Sequence, residues 1–265
     1  MKMLALVPLI CALSAGEASA TSSNYTNFSS ITGLTLNGDA AQAGNVLRLV
    51  PSADTKSGTA FLTAPIFLDG TTGFSTAFEF NVTTATDDPT DGFTFLLQND
   101  AGGVNSLGEA GQGLGYVGLT PSVAVVFRGR NPNLIGVITG GVDPAALPTP
   151  FQPAGYYSGT EGEFYNQNEF AWIDYDASTK NLSVYLSTSS AKPGTAIMST
   201  TVDIFSTLGS QAYVGFSAGN GGAYGSQDIL NWSFTSPVPE PETYAMLLAG
   251  LGLVGWQIRR RAATV

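Results

Sequence analysis

The sequence predicts an all-β protein built as one antiparallel β-sandwich, and three observations lead to that prediction. Between residues 21 and 236, apolar side chains alternate with polar ones in short runs, without helical periodicity of useful length. Clusters of Gly, Asn, Asp and Pro separate these runs, as expected for turns between strands. The 216 residues of this segment suit one sandwich domain better than two.

Eleven runs have the length and composition of strands. In the run at residues 92–98, Phe93, Phe95 and Leu97 fall on one face and the intervening residues on the other. Residues 176–181 indicate a hairpin loop, and residues 139–164, with four prolines, indicate a long surface loop. The predicted strands are Val46–Val50, Ala60–Thr63, Phe74–Val82, Gly92–Gln98, Ser122–Phe127, Leu134–Ile138, Glu169–Tyr175, Asn181–Ser187, Ala196–Val202, Ala212–Ala218 and Ile229–Thr235.

Two tryptophans, Trp172 and Trp232, lie within alternating runs, so both are expected in the core. Tyr156 and Tyr157 lie in the predicted long loop. Their rings have two possible roles, either stacking on sugar rings or pinning the loop to the sheet.

The first 20 residues have the layout of a cleavable secretory signal. Lys2 precedes an apolar run over residues 4–15, and an Ala-Ser-Ala motif at residues 18–20 precedes Thr21. The single cysteine of the chain, Cys11, lies inside this segment. The mature protein is therefore expected to have no thiol and no disulfide, so packing must stabilise it.

Residues 237–265 form a tail with a short apolar stretch. Pro239-Glu240-Pro241 precedes 16 uncharged residues, Thr243–Ile258, and three arginines follow at residues 259–261. As a helix this stretch would be roughly 24 Å long, against about 30 Å for a bilayer core, so we predict a short membrane span with cytoplasmic arginines.

This tail resembles the PEP-CTERM sorting signal, which an exosortase-type enzyme processes in Gram-negative, exopolysaccharide-producing bacteria. The resemblance implies transient membrane insertion, export through the inner membrane, and a final place at the cell surface or in the extracellular matrix. A permanent C-terminal anchor is the alternative.

Charge and composition exclude several classes of function. Residues 21–236 carry 17 acidic and 6 basic side chains, a net charge of −11, which disfavours nucleic acid and anionic lipid as partners. The chain contains no histidine, which excludes Ser-His-Asp and Cys-His catalysis and histidine-ligated zinc. Neutral partners are favoured.

Eight short sequence motifs follow one another in a recognisable order along the predicted strands and loops. Together they resemble an L-type (legume-lectin-like) lectin domain, over nearly the whole segment from residue 21 to residue 236. The resemblance implies a concanavalin-like jelly-roll sandwich that binds carbohydrate. The motifs are Thr90–Phe95, Gly111–Tyr116, Ser122–Val125, Trp172–Asp176, Leu182–Leu186, Tyr213–Ala218, Gly221–Tyr224 and Asp228–Phe234.

The same resemblance implies a sugar pocket made by four loops. In the family, an aspartate after a cis peptide accepts hydrogen bonds from two sugar hydroxyls, and Asp91 matches it. Backbone amides donate to the sugar oxygens, and an asparagine of the metal loop contributes. A carboxylate and amides together satisfy both the proton and the lone pairs of a hydroxyl. The matching residues are Gly111, Gln112, Gly113, Asn131, Asn133, Gly222, Ala223 and Tyr224.

Asp91 also has a purely structural interpretation, because an Asp-Gly pair after Pro89-Thr90 is ordinary turn chemistry. The choice between ligand contact and turn remains open from the sequence.

The chain departs from the family where that family holds manganese and calcium. Val126 and Arg128 stand where the family has Glu and Asp, and Leu134 stands where it has His. Hard cations require several oxygen ligands, so we expect no bound metal and no other cofactor. As a hypothesis, the Arg128 guanidinium replaces the cation and pairs with Asp91, Asp87 or Asp88.

An enzymatic alternative rests on Asp174 and Asp176. On a strand they share one face about 6.6 Å apart, within the range of glycosidase carboxylates. The second aspartate lies at the predicted hairpin, so an exposed strand end is the favoured explanation, and we expect no enzyme. The expected function is exported, non-catalytic binding of neutral glycan or exopolysaccharide. The alternative is a structural biofilm or matrix protein on a lectin scaffold without sugar affinity, and homo-oligomers are possible in either case.

Overall fold

The computed structural model describes residues 21–86, 90–129, 134–143, 157–158, 164–236 and Gly250. Thr21–Pro237 forms one compact unit. The described part contains a short helix α1 (Ile204–Leu208) and two single turns of 3₁₀ helix, Gly103–Asn105 and Gly111–Gly113. Its strands are β1 (Thr21–Tyr25), β2 (Leu34–Gly38), β3 (Ala41–Ala43), β4 (Val46–Val50), β5 (Lys56–Leu62), β6 (Ile66–Phe67), β7 (Phe74–Val82), β8 (Gly92–Gln98), β9 (Ser122–Arg128), β10 (Leu134–Thr139), β11 (Tyr157–Ser158), β12 (Asn168–Asp176), β13 (Asn181–Ser187), β14 (Met198–Thr201), β15 (Gln211–Asn220) and β16 (Gln227–Ser236).

These strands form two antiparallel sheets of eight strands each. The back sheet has the order β14-β13-β12-β7-β16-β4-β3, with β1 paired to β16. The front sheet has the order β11-β10-β9-β8-β15-β5-β2, with β6 paired to β15. Neighbours such as β8 and β15 are distant in sequence, so the chain crosses repeatedly between the sheets. The predicted antiparallel jelly-roll sandwich is confirmed.

Phenylalanines from both sheets fill the space between them. Phe78 of the back sheet lies 5.1 Å from Phe216 and 5.7 Å from Phe127, measured between ring centroids, and both contacts are edge-to-face. Phe93 and Phe127 stack at 4.8 Å. Burial of one such side chain contributes about 1.5–3 kcal/mol, and a favourable ring pair adds about 0.5–1.5 kcal/mol. The alternation of β8 is confirmed, since Phe93, Phe95 and Leu97 all lie in this core.

A second apolar cluster lies on the other face of the front sheet. It is covered by the segment between β8 and β9, in which the Tyr116 hydroxyl accepts hydrogen bonds from Ser122 Oγ and Gly141 N, both at 3.0 Å. Every residue of β8 is consequently buried. The cluster consists of Phe61, Leu96, Leu114, Tyr116, Leu119, Ala124, Val126, Leu134 and Ile138.

All eleven predicted strands are present, four of them with the predicted bounds: β4, β7, β8 and β13. The short strands β1, β2, β3, β6 and β11 were not predicted. Within the predicted long loop, β11 pairs with β10, and Phe164 is buried, so this part of the prediction is wrong.

The prediction that Trp172 lies in the core is also wrong. Ala171 and Ile173 point inward from β12, so Trp172 lies half-buried on the outer face of the back sheet. Trp232 is in the core as expected.

The predictions for the two termini concern residues that the structure mostly does not describe. The predicted signal segment, residues 1–20, and most of the tail lie outside the described residues. No helix within the described residues is long and apolar enough to cross a membrane.

Candidate functional site

Asp91 lies at the end of the front sheet, immediately before β8. Gly92 has φ +124° and pairs with Arg128 of β9. A Cβ at this position would lie 2.2 Å from Phe127 O, so only glycine lets β8 pass this close to β9. Gly129 N donates to Asp91 O at 3.2 Å, which fixes the main chain at Asp91.

The Asp91 carboxylate is surrounded by glycines from two other loops. Gly221 N donates to Asp91 Oδ2 at 2.9 Å, a charge-assisted hydrogen bond. A Cβ on Gly221 would lie 3.2 Å from the same oxygen, and one on Gly111 would lie 3.9 Å from it. Gly111 has φ +59° as well, so both its conformation and its closeness to the carboxylate favour glycine. Three separate segments therefore meet at one carboxylate.

The other predicted site residues lie near this meeting point or outside the described residues. Gln112 is exposed and Gly113 is buried, both in the 3₁₀ turn that begins at Gly111. Asn131 and Asn133 lie outside the described residues, as do Asp87, Asp88 and Tyr156, while of Tyr157 only the backbone in β11 is described.

The loop that follows Gly221 carries the remaining predicted residues. Gly222 is exposed, and a Cβ on it would meet nothing within 4 Å. Ala223 is buried and Tyr224 is half-buried, and Tyr224 O accepts a hydrogen bond from Ala85 N at 3.0 Å.

A buried polar network, which was not predicted from the sequence, lies behind Asp91. Thr90 Oγ1 donates to Asn220 Oδ1 at 2.5 Å. Gln227 Nε2 donates to Gly219 O at 2.9 Å and also lies within hydrogen-bond distance of Thr90 Oγ1 and Asn220 Oδ1. All three side chains are at most 1% exposed. The position of Asn220 directly before Gly221 was the only available signal, and it is a weak one.

Further hydrogen bonds tie this network to the surrounding loops. Asn220 Nδ2 donates to Pro51 O at 2.9 Å and to Gly225 O at 2.8 Å. The Tyr165 hydroxyl donates to Thr90 O at 2.5 Å. The network thus connects the segment of Asp91 with both ends of the loop between β15 and β16.

Among the described residues, Thr120–Pro121 is the one cis peptide bond, so the Thr90–Asp91 peptide bond is trans. The cis peptide that the family resemblance implies is therefore not found here. The carboxylate nevertheless lies beside Gly111 and Gly221.

The described residues at the family's metal positions do not fit a manganese–calcium pair. Val126 and Leu134 are buried in the second apolar cluster and offer no oxygen ligand. Arg128 is half-buried and pairs through its backbone with Gly92 and Leu134. Among the described residues, no group of three or more His, Cys, Asp or Glu side chains is placed to hold a metal. The proposed pairing of Arg128 with Asp87, Asp88 or Asp91 stays a prediction.

Asp174 and Asp176 have local structural roles. Asp174 forms an ion pair with Lys192. Asp176 Oδ1 accepts hydrogen bonds from Ser178 Oγ at 2.7 Å and Ser178 N at 2.9 Å, within the hairpin turn. The hydrogen bond from the Ser178 hydroxyl lowers the pKa of Asp176 below its ordinary value. A glycosidase acid requires the opposite shift.

Comparison with known proteins decides the family. A sequence profile of the legume lectin domain matches residues 20–132 and 157–247. The chain belongs to the legume lectin family. This membership, with the jelly-roll fold, indicates a carbohydrate-binding role.

Relatives of this legume lectin domain occur in plants. A probable L-type lectin-domain containing receptor kinase S.7 of Arabidopsis thaliana is 31% identical, covering 85% of this chain and 37% of the relative. The L-type lectin-domain containing receptor kinase SIT1 of Oryza sativa is 28% identical, covering 92% of this chain and 41% of the relative. The lectin chain thus spans well under half of the length of these receptor kinases. The basic winged bean lectin, solved with Tn-antigen, is 27% identical with a TM-score of 0.68, covering 83% of this chain and 100% of that one.

A second profile, the PEP-CTERM protein-sorting motif, matches residues 237–261 of the lectin. The predicted sorting tail is confirmed at the level of sequence. The motif implies exosortase processing, export and a surface or extracellular location in a Gram-negative bacterium.

Proposed function

We propose that this lectin is a non-catalytic surface or extracellular protein that binds neutral glycan in the pocket around Asp91, without the family's manganese–calcium pair. One observation carries the proposal: the Asp91 carboxylate accepts a hydrogen bond from Gly221 N and lies against Gly111. A carboxylate that lies beside glycine backbone from two loops is suited to binding a polyol. Sugar hydroxyls donate to the carboxylate, and main-chain amides donate to their oxygens.

The burial of Asp91 determines how a sugar would reach it. Its side chain is 1% exposed, so the rim formed by the 111–113 and 221–223 segments has to open when a sugar binds. Opening costs free energy and weakens the apparent affinity. We therefore expect weak binding of single sugars, and useful avidity only on a polymer with repeated sites.

Neutral glycan is the favoured ligand because of charge. The segment from residue 21 to residue 236 has a net charge of −11, which repels acidic polysaccharide. An exported protein of an exopolysaccharide-producing cell meets that cell's own polymer first, so a neutral exopolysaccharide is the natural partner.

Independence from metal is supported by the polar network behind Asp91. In this protein, Thr90, the residue directly before Asp91, donates a hydrogen bond to Asn220 and accepts hydrogen bonds from Gln227 and Tyr165. Such a buried, well-connected network restricts the main chain to one arrangement. It therefore performs the positioning that a bound cation performs elsewhere in the family.

A structural matrix protein without sugar affinity is the alternative. The 1% exposure of Asp91 favours it, because a sugar cannot reach a buried carboxylate unless the surrounding loops move.

Substitution of Asp91 by asparagine separates the two functions. The asparagine carbonyl can still accept from Gly221 N, but the charge and one acceptor are lost. We expect glycan binding to fall at least tenfold, with the unfolding free energy changed by about 1 kcal/mol. The measurement is binding to an array of neutral glycans, with urea unfolding in parallel.

Asp176→Asn is the matched control, because it removes the same charge from an exposed carboxylate in the β12–β13 turn. Equal binding by the wild type and Asp91→Asn contradicts the proposed pocket. A wild-type protein that binds no glycan supports the matrix alternative.

A further inference from the structure

The outer face of the back sheet carries a groove that the Asp91 pocket does not explain. Two adjoining hollows of about 230 and 280 Å³ lie on this face, and they share Ala77 and Asn231 in their lining. Phe170 and Trp172 lie at one end, and Asn24 and Tyr25 at the other.

Cross-strand register explains why the face is hollow. Trp172 pairs with Ala77, Ala77 with Ser233, and Ser233 with Asn24, so one row of outward residues crosses β12, β7, β16 and β1. The two central residues are small, and larger side chains stand on either side of them. Three strand spacings give the row a length of about 14 Å, which suits an oligosaccharide and exceeds a single sugar ring.

The aromatic end of the groove consists of two half-buried rings that pack against each other. Phe170 and Trp172 share one face of β12, with ring centroids 6.3 Å apart and planes 23° apart. Beyond them, Lys192 Nζ lies 4.2 Å from the ring centroid of Tyr185. Lys192 also forms an ion pair with Asp174, so the groove ends at this lysine. Aromatic rings at such a site suit the apolar C–H surface of a pyranose.

The polar end supplies hydrogen-bonding groups in fixed positions. Asn231 Nδ2 donates to Glu79 Oε2 at 2.6 Å, and Asn168 Nδ2 donates to Glu79 Oε1 at 2.8 Å. Asn231 is therefore oriented before any ligand arrives. With the hydroxyl of Ser233 and the exposed amide of Asn24, it offers partners for a series of sugar hydroxyls.

We propose that this groove is a second glycan site, which takes a short linear run of neutral sugar residues across the back sheet. Its aromatic end contacts the sugar rings and its amide end binds the hydroxyls. The Glu79 carboxylate borders it and residues 21–236 carry a net charge of −11, so an anionic glycan is disfavoured. The site is independent of Asp91, which belongs to the front sheet. One molecule would then hold a polymer on two faces and cross-link it.

The test is a titration of the protein with cellotetraose and mannotetraose, followed by the indole N–H signals in NMR. Methyl glucoside and a tetrasaccharide of galacturonic acid serve as comparison ligands. We expect the Trp172 signal to shift with a neutral tetrasaccharide, at least tenfold more tightly than with methyl glucoside. The Trp232 ring lines the second hollow from the core side, but its indole N–H is buried and donates to Thr76 Oγ1 at 2.9 Å, so its signal should shift less than that of Trp172.

Three variants separate this groove from the Asp91 pocket. In calorimetric titrations, which do not depend on the Trp172 signal, Trp172→Ala should bind the neutral tetrasaccharide at least tenfold more weakly than the wild type, and Trp172→Phe should retain part of the affinity. Asp91→Asn should leave the NMR response of Trp172 unchanged. Unfolding midpoints show that each variant is folded. The proposal is overturned if Trp172 responds to none of the tetrasaccharides, if it prefers the acidic one, or if Asp91→Asn abolishes its response. Failure of the Asp91 pocket alone would leave the Trp172 response intact.

Discussion

The glycines around Asp91 differ in what a side chain would meet. At Gly111 and Gly221 a Cβ would come close to the Asp91 carboxylate or to the neighbouring backbone. At Gly222 a Cβ would meet nothing within 4 Å, and the backbone there has no positive φ. A side chain at Gly222 is therefore tolerated by the fold and occupies the space from which a ligand would approach.

Gly222→Val should separate binding from stability. The added side chain should reduce glycan binding at least tenfold by blocking the rim of the pocket, while the unfolding free energy should change by no more than about 0.5 kcal/mol. The measurement is titration with the array glycan that depends most strongly on Asp91, together with urea unfolding.

Gly194→Val is the control for this substitution. Gly194 also has open space around it and no positive φ, and it lies in the connection between β13 and β14. Unchanged binding by Gly222→Val would show that the 221–223 segment does not contact the sugar.

At the scale of elements, the loop between β15 and β16 depends on Asn220. Its amide donates to two backbone carbonyls, Pro51 O and Gly225 O, and its carbonyl accepts from Thr90 Oγ1. The side chain is fully buried, so water cannot replace these hydrogen bonds. This residue connects the β15–β16 loop with the segment that carries Asp91.

Asn220→Ala should destabilise the protein by about 2–4 kcal/mol, because several buried polar groups lose their partner at once. It should also weaken glycan binding, because the loop next to Asp91 loses its support. Urea unfolding and titration on the same preparation measure the two effects.

The control is Asn168→Ala on the back sheet. Asn168 also makes two side-chain hydrogen bonds, with Asn81 and Glu79, but it is exposed. It should change stability by about 0.5 kcal/mol or less. If Asn220→Ala costs no more than Asn168→Ala, the network does not hold the loop.

The sequence predicted those elements whose own pattern determines their state. Large apolar residues recur at alternate positions in both strands, at Phe78, Phe80 and Val82 in β7 and at Phe93, Phe95 and Leu97 in β8, so both strands were predicted with the correct bounds. The five-residue strands β1 and β2 are polar or weakly patterned, and their pairing with β16 and β5 makes them strands. Local sequence does not contain that information.

The error at Trp172 has a similar physical origin. Ala171, Trp172 and Ile173 are all apolar, so the pattern does not show which face of β12 meets the core. Asp91 and Gly111 were predicted as site residues because the family motifs mark them, whereas Gly221, whose N–H donates to Asp91, was not among the predicted site residues. Asn220 and Gln227 were not predicted, because a polar residue at a strand end is ordinary until the tertiary structure buries it.

At the scale of the whole molecule, stability rests on the aromatic core between the two sheets. The single cysteine lies in residues 1–20, and the described metal positions carry apolar or basic side chains. Phe78 alone contacts five other phenylalanine rings from both sheets. We expect such packing to stabilise the domain without a cross-link or an ion.

Removal of metal should therefore leave both the fold and glycan binding unchanged. A ligand that binds only the folded state stabilises it by RT ln(1 + [L]/Kd), so a chelator lowers the unfolding midpoint of any protein that depends on an ion. For a chain of this size, about 1 kcal/mol corresponds to a shift of about 2–4 °C. We expect a shift of less than about 1 °C with EDTA, by calorimetry, and the same glycan titration curve before and after chelation. A legume lectin with the full set of metal-binding carboxylates is the positive control. A fall of several degrees that Ca²⁺ or Mn²⁺ reverses would show that residues 126–134 hold a cation after all, and that the network behind Asp91 does not replace it.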